Sequence, residues 1–112
     1  MRTLAEIQIE IYRAVDGKSP FPQWLESLKN QQTKDRIDAR LNRIRLGNFG
    51  DHKELEGGIF ELRFFFGAGY RIYFAKEGET IIILLTGGEK GSQKQDIKKS
   101  REFYKDYLER KS

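Results

Sequence analysis

Residues 59–86 read IFELRFFFGAGYRIYFAKEGETIIILLT, and most of the sheet can be predicted from them. Three runs in this stretch are rich in β-branched and aromatic residues, as strands are. The runs are Ile59 to Phe66, Tyr70 to Ala75 and Thr80 to Thr86. Short segments at 67–69 and 76–79 separate the runs and can close two hairpins. The stretch therefore predicts an antiparallel meander of three strands.

The segments on either side of the meander add one strand and three helices. From Ala5 to Tyr12 isoleucines alternate with polar residues, which is typical of a strand with one solvent-exposed face. Ser19–Pro20 predicts the start of a short helix, and apolar residues at helical spacing predict a second helix from Gln32 to Leu46. After the meander, Ser92 and Gln95 predict a capping box for a charged C-terminal helix. The predicted fold class is α+β, in the order strand, two helices, three-strand meander, helix.

The composition limits the size and the chemistry of the molecule. With 112 residues the chain is expected to form a single domain over 1–112. Its net charge of +4 and its pI near 9.4 favour an anionic partner. Cysteine is absent and histidine occurs once, which excludes disulfides and thiolate or histidine-cluster metal sites, so no metal or cofactor is expected. No apolar run can span a membrane and the N-terminus lacks a signal-peptide pattern, so we expect a cytoplasmic protein.

Two arginines interrupt the apolar runs of the meander. If residues 67–69 form a three-residue loop, Phe65 pairs with Arg71 and Arg63 pairs with Tyr73. All four side chains then lie on one face of the sheet. Both guanidinium groups can reach a single phosphate group there, with the two aromatic rings as stacking surfaces for substrate. Each charge-assisted hydrogen bond contributes about 1.5 to 3 kcal/mol, so the pattern predicts a phosphate-binding face.

The alternative is that these arginines have no binding role and only keep the sheet surface soluble. Arg63 could pair with Glu61 or Glu10 on the exposed face of an antiparallel sheet, where such pairs contribute little. The arginines of the second helix are likewise interpreted as a solvated face.

A glycine-rich turn, TGGEKGSQKQDI at 86–97, joins the last strand to the C-terminal helix. The amide groups at a helix N-terminus attract anions, and Lys90 adds a formal charge. Gly87, Gly88 and Lys94 are therefore candidates for binding substrate, the alternative being a plain connector whose glycines serve the turn. The motif does not fit a nucleotide-binding P-loop, because the lysine is not followed by Ser or Thr.

Three further side chains are candidates for proton transfer. His52 lies near turn residues and can act as a general acid or base near neutral pH, although a lone histidine there is more often simply exposed. Tyr104 and Tyr107 in the last helix can point toward the sheet, where a phenol beside arginines would lose its proton more easily. The alternative for Tyr104 is a place in the core, since it shares a helical stripe with Ile97 and Leu108.

Several separated blocks of the chain resemble a known family. The run ELR…GAGYRIYF…ILLTGGEKGSQKQDI, preceded by a Trp-Leu helix and by RIRLGNFGD, resembles the phage-derived, HigB-like branch of the RelE/ParE superfamily of toxins from bacterial toxin-antitoxin modules. The resemblance extends from about Ile7 to Leu108. It implies a compact α+β fold with helices packed on one face of an antiparallel-rich sheet.

The resemblance also implies an activity and partners. It points to a ribosome-dependent mRNA endonuclease that needs no metal, neutralised by an antitoxin with a helix-turn-helix domain. The family's basic sheet residues fall on Arg63 and Arg71, and its turn of two glycines, an acid and a lysine falls on residues 87–90. Such a toxin moves two protons during RNA cleavage, and the choice of acid and base stays open. The candidates are Lys90, Tyr104, Tyr73 and His52.

Two other functions are compatible with the same sequence. A ParE-like protein of this fold would inhibit DNA gyrase by binding alone, since a fold does not define an activity. A basic nucleic-acid-binding relative without toxicity is the other possibility. An antitoxin would be expected to cover the cationic sheet face or to clamp the terminal helix.

Overall fold

The computed structural model describes residues 6–111. The elements in chain order are β1 (Gln8–Ile11), α1 (Pro20–Ser27), α2 (Gln31–Arg45), β2 (His52–Glu54), β3 (Ile59–Arg63), β4 (Arg71–Glu77), β5 (Ile81–Gly88) and α3 (Gln93–Lys111), with a 3₁₀ turn at Lys90–Ser92 before α3. The predicted order is confirmed, and the short strand β2 is an addition. Ala5, placed in the predicted first strand, lies outside the described residues.

The strands form a five-stranded sheet in the order β1-β5-β4-β3-β2. The neighbours β3, β4 and β5 pair antiparallel, so the predicted meander is confirmed. The strand β1 pairs with β5 in parallel, and the two helices α1 and α2 lie on the chain between β1 and the rest of the sheet. Parallel pairing requires such a long connection, which a hairpin cannot provide.

Helices cover both faces of the sheet. One core cluster packs α1 and α2 against the sheet and contains Phe21, Ile37 and Ile44. The other packs α3 against the opposite face, where Ile97 and Phe103 contact the cluster. The implied arrangement with all helices on one face is therefore wrong. The strands β4 and β5 are apolar on both sides, and such strands need a cover on each face.

The register of the first hairpin differs from the prediction. Arg63 lies directly opposite Arg71, and Glu61 lies opposite Tyr73. The strands end earlier than expected, and residues 64–70 form the connection, in which the Phe64 amide donates to the Tyr70 carbonyl at 3.0 Å. The predicted pairing of Arg63 with Tyr73 is therefore wrong.

The shared face of the two arginines is nevertheless confirmed. The observed register differs from the predicted one by two residues, and a shift of two leaves each side chain on its original face. Arg63, Arg71, Glu61 and Tyr73 thus lie on the face that α3 covers. Phe65 is not part of a strand and lies in the connection, so its predicted pairing with Arg71 is wrong.

The start of α3 also differs from the predicted capping box. Ser92 belongs to the 3₁₀ turn, and its hydroxyl lies 2.5 Å from Asp96 Oδ2 instead of bonding with Gln95. Later in this helix Leu108 is exposed, so only part of the predicted apolar stripe is buried. Within residues 6–111 no helix combines the length and apolar character that crossing a membrane would need.

Candidate functional site

A surface cavity at the end of the β3–β4 hairpin brings three of the predicted cationic residues together. The cavity has a volume of about 350 Å³, and we call it the Arg71 cavity. Its lining is Arg63, Phe64, Phe65, Gly67, Ala68, Gly69, Arg71 and Lys90. The loop after β3 and the 3₁₀ turn after β5 meet here because Gly69 lies against Lys90, where an added Cβ would be 3.4 Å from the lysine Cβ.

Arg71 forms an ion pair with a buried acid, Glu61. Its Nη1 lies 3.0 Å from Oε1 of Glu61, whose side chain is 2% exposed. The second carboxylate oxygen accepts a hydrogen bond from Gln93 Nε2 at 2.8 Å, so the first turn of α3 helps to hold the pair. A guanidinium carries five N–H donors, and this ion pair uses a donor of Nη1. The side chain of Arg71 is therefore held in one orientation. Its Nε is buried without a hydrogen-bond partner among the described residues, so the donors left for a ligand are the remaining ones on Nη1 and Nη2.

Arg63 is also paired with an acid, and the partner is neither of the two that the sequence suggested. Its Nε and Nη2 each lie 3.0 Å from a different oxygen of Asp51. The hydrogen bond from Arg63 holds the pKa of Asp51 below its usual value. Both predicted arginines therefore carry partly compensated charges. Lys90 is exposed and has no ion pair within residues 6–111, which makes it the uncompensated cation of the Arg71 cavity.

Tyr73 lies beneath the site and not on its surface. Its side chain is 0% exposed, and its hydroxyl has no hydrogen-bond partner among the described residues. The prediction of an exposed stacking surface at Tyr73 is therefore wrong. Burial raises the pKa of its hydroxyl, and the nearby charges of Glu61 and Asp96 raise it further. The phenol stays protonated at neutral pH and makes a poor base.

The other candidate acids and bases lie elsewhere. His52 is exposed on the edge strand β2, with Nδ1 3.0 Å from the Gly50 carbonyl oxygen. Tyr104 packs against the second core cluster and stacks on Tyr107 with a centroid distance of 6.5 Å. Burial raises the pKa of Tyr107, and Glu10 adds to this, which is opposite to the predicted direction. Neither His52 nor Tyr104 lines the Arg71 cavity.

The glycines of the turn after β5 are required by close packing. A Cβ on Gly87 would overlap the ring of Trp24, and a Cβ on Gly88 would overlap the carboxylate of Asp96. Both glycines line a separate cavity of about 480 Å³ in which that carboxylate also lies. A buried acid at this point disfavours an anion, so the packing supports the interpretation as a connector. Lys94 is exposed on α3 and lines neither cavity.

Sequence reasoning missed a second group of arginines, which lines a larger groove. This groove, which we call the α2 groove, has a volume of about 510 Å³ and lies between α2 and the end of β3. Its lining is Arg36, Ala39, Arg40, Arg43, Asn48, Gly50, Asp51, Arg63, Phe64, Phe65 and Phe66. The spacing of the three helical arginines, four and then three residues apart, could have revealed it, because such positions share one helix face.

Within the described part of the chain, no three His, Asp or Glu side chains come together in a way that could hold a metal ion. The functional groups that line the Arg71 cavity are two guanidinium groups held by ion pairs, one exposed ammonium group and one exposed aromatic ring.

Comparison with known proteins adds the family. Residues 23–106 match the family model described as Phage derived protein Gp49-like (DUF891). The chain is also 47% identical over 81 residues to an uncharacterized protein from Haemophilus influenzae, an alignment that covers 72% of this chain and 82% of the relative. The match spans α2, the sheet strands β2 to β5 and most of α3, and so includes all three cations of the Arg71 cavity. The chain therefore belongs to the phage-derived Gp49-like family, which is a family of RelE/ParE-like toxins.

Proposed function

We propose that this chain is the toxin of a type II toxin-antitoxin module, of the HigB-like kind, and that it cleaves mRNA on the translating ribosome in the cytoplasm. The observation that carries the proposal is that Arg63, Arg71 and Lys90 line one cavity, with Phe65 at its edge. Cations beside an exposed aromatic ring suit a phosphodiester flanked by an unstacked base. Membership of a toxin family supports the same conclusion.

The chemistry we propose is attack of a ribose 2′-oxygen on the adjacent phosphorus. A 2′,3′-cyclic phosphate forms as the bond from phosphorus to the 5′-oxygen breaks, and the proton of the 2′-hydroxyl passes to water. Negative charge builds on the phosphate oxygens during this step, and fixed hydrogen-bond donors stabilise it best when they need not reorganise. Glu61 fixes Arg71, and Asp51 fixes Arg63, so both guanidinium groups are pre-organised by the fold. In this proposal their accessible donors bind the phosphate, and these do not include the Nε of Arg71, which is buried.

Lys90 is our candidate for the group that moves a proton. Its ammonium can donate to the departing 5′-oxygen of the cleaved strand, and as an exposed side chain it can follow the substrate. Tyr73 is unsuited to the role of base, because it is buried and its pKa is raised. The cavity contains no imidazole group, and this incomplete set of acids and bases supports a requirement for the ribosome to complete the site.

The proposed partner in the cell is an antitoxin with a helix-turn-helix domain. An acidic segment of it would neutralise the exposed cations around the Arg71 cavity. Expression of this chain alone should then arrest growth, and co-expression of the antitoxin should restore it.

The decisive experiment is a cleavage assay with purified protein and translating ribosomes. The wild type should cut mRNA, and Lys90→Ala should lower the rate by about 10²-fold, the usual effect of removing one charge-stabilising donor. Lys98→Ala is a matched control, since Lys98 is exposed on α3 and lines neither the Arg71 cavity nor the α2 groove. Arg71→Ala should abolish cutting, but its folding must be checked because it leaves the buried Glu61 without its cationic partner.

Two outcomes would contradict the proposal. Intact transcripts with the wild-type protein would remove the nuclease function, and loss of gyrase supercoiling in a parallel assay would then favour the ParE-like alternative. Equal rates for the wild type and Lys90→Ala would show that the Arg71 cavity is not where the chemistry occurs.

A further inference from the structure

The α2 groove concentrates positive charge beside the Arg71 cavity. Four arginines and one aspartate line it, which gives its lining a formal charge of +3. Its volume of about 510 Å³ falls within the range of roughly 300 to 1,000 Å³ that is usual for small-ligand sites. A groove of this charge and size can accommodate an anionic group of nucleotide dimensions.

Two of the four arginines have structural partners. Arg40 donates to the backbone carbonyl oxygens of Arg63, Phe49 and Asp51, the last at 2.6 Å. Arg63 is occupied by the carboxylate of Asp51. These two side chains build the floor of the groove and are not its free charges.

The other two arginines are available to a ligand. Arg43 is exposed, and its side chain has no ion pair or hydrogen bond within residues 6–111. Arg36 lies over the ring of Phe66 at 4.7 Å, a contact that orients the guanidinium without neutralising it. Burial lowers the pKa of Arg40, and repulsion from Arg43 lowers it further while Asp51 raises it. An anion bound between Arg36 and Arg43 would relieve this repulsion.

An exposed aromatic ring connects the groove to the Arg71 cavity. Phe65 is 80% exposed, and together with Arg63 and Phe64 it lines both spaces. The Arg63 guanidinium lies 5.9 Å from its ring centre. An exposed phenylalanine between two cationic hollows is a suitable stacking surface for a nucleic-acid base.

We propose that the α2 groove binds a nucleotide of single-stranded RNA next to the one in the Arg71 cavity, with its phosphate between Arg36 and Arg43 and its base stacked on Phe65. The identity of the ligand as RNA rests on the proposed function. An acidic peptide would also suit the arginines, but it would leave the flat, exposed ring of Phe65 unexplained.

The first test measures binding without cleavage. A fluorescent 2′-O-methyl RNA hexamer lacks the 2′-hydroxyl that the proposed reaction needs, so its dissociation constant can be followed by anisotropy over a range of salt. The double variant Arg36→Gln/Arg43→Gln should bind at least about tenfold more weakly. Its salt slope should be smaller by roughly 0.7 for each phosphate that the variant no longer binds. Lys98→Gln/Lys99→Gln removes the same charge from an exposed part of α3 and should bind like the wild type.

The second test examines the stacking on Phe65. Phe65→Ala should weaken binding about 5- to 150-fold, which corresponds to the usual range for one stacked base. A hexamer with one abasic position should bind the wild type more weakly by the same factor when that position occupies the groove. Phe65→Ala should bind this abasic hexamer as tightly as the wild type does. This non-additivity is not expected if Phe65 affects only the fold.

Failure of this inference can be distinguished from failure of the proposed function. If cleavage on ribosomes persists while both groove variants bind the hexamer like the wild type, the α2 groove is not an RNA site. If a fluorescent Glu-rich peptide loses affinity for the double variant and the hexamer does not, the groove binds an acidic protein segment and the inference is wrong. Hexamer binding that depends on the groove in a protein without nuclease activity would support this site and remove the proposed reaction.

Discussion

The guanidinium of Arg71 is partly buried next to the acid that compensates its charge. Glu61 lies 3.0 Å away, and an isolated carboxylate at 2% exposure would cost several kcal/mol. The sequence placed both arginines on one face from strand alternation. It did not reveal Asp51 as the partner of Arg63, because that residue lies in the turn before β2 and not on a neighbouring position of the hairpin.

The close packing at Gly88 leads to a stability prediction. Gly88→Ala would place a Cβ in the position of the Asp96 carboxylate, and such overpacking should lower the free energy of unfolding by about 1 to 3 kcal/mol. Gly91→Ala is the matched control, since a Cβ there meets nothing within 4 Å and the backbone φ is not positive. Urea denaturation at pH 7 should show a lower midpoint for Gly88→Ala only. Equal effects of both substitutions would show that turn flexibility, and not space, requires the glycine.

One polar side chain, Arg40, joins α2 to the end of the sheet in addition to the apolar packing of the helix. Arg40 donates to three backbone carbonyl oxygens, which belong to Phe49, Asp51 and the last residue of β3. These carbonyl oxygens lie at the end of β3 and just before β2. Because they are at the margin of the sheet, the pairing of the strands does not satisfy all of them. The helix thereby fixes the wall that the Arg71 cavity and the α2 groove share.

The hydrogen bonds from Arg40 to these carbonyl oxygens form a tether between α2 and the sheet, and its removal should destabilise the protein. Arg40→Ala leaves carbonyl groups without a charged donor and should cost about 2 to 3 kcal/mol in the free energy of unfolding. Arg40→Lys should recover only part of this, because an ammonium lacks the planar fork of a guanidinium. The measurement is urea denaturation.

Arg45→Ala is the control for the tether. Arg45 is exposed at the end of the same helix, and its guanidinium contacts Asn42. This substitution should change the stability by less than about 0.5 kcal/mol. A similar loss for Arg40→Ala and Arg45→Ala would contradict the tether.

A partly buried hydrogen bond joins the segment after β1 to α3. The Tyr12 hydroxyl after β1 donates to Asp106 Oδ2 in α3 at 2.6 Å, and the Tyr12 ring stacks on Phe103 with a centroid distance of 5.1 Å. Arg110 lies 2.8 Å from the same carboxylate oxygen. This contact fastens α3 over the sheet face that carries Glu61 and Arg71.

The pH dependence of stability should report this contact. Burial raises the pKa of Tyr12 from 10.0 to about 12, and the bond to Asp106 contributes. Between these pH values the unfolded chain loses the proton first, so the free energy of unfolding should fall as the pH rises. Tyr12→Phe should be about 1 kcal/mol less stable at pH 7 and should show a shallower decline over the same range. Parallel declines in the two proteins, measured by urea denaturation at several pH values, would contradict this prediction.

Local patterns accounted for all the elements except the short strand β2 and the 3₁₀ turn, and for the faces of their side chains. Alternation in the meander and helical spacing in α2 depend on a few neighbouring residues, so strand and helix types and the shared face of Arg63 and Arg71 followed from the sequence. The ends of the hairpin did not follow, since loop length depends on how residues 64–70 pack.

Long-range contacts settled the rest. The parallel place of β1 beside β5, the covering of both sheet faces and the burial of Tyr73 depend on residues that are distant in the chain. The choice of Glu61 and Asp51 as partners depends on the hairpin register and on the turn before β2. Burial and electrostatic pairing are set by what packs above a side chain, and periodicity carries no information about that neighbour. The cationic surface was therefore foreseeable in outline. Its compensating acids depend on the register of the hairpin and on the turn before β2, and the α2 groove takes its shape only when α2 packs beside the end of β3.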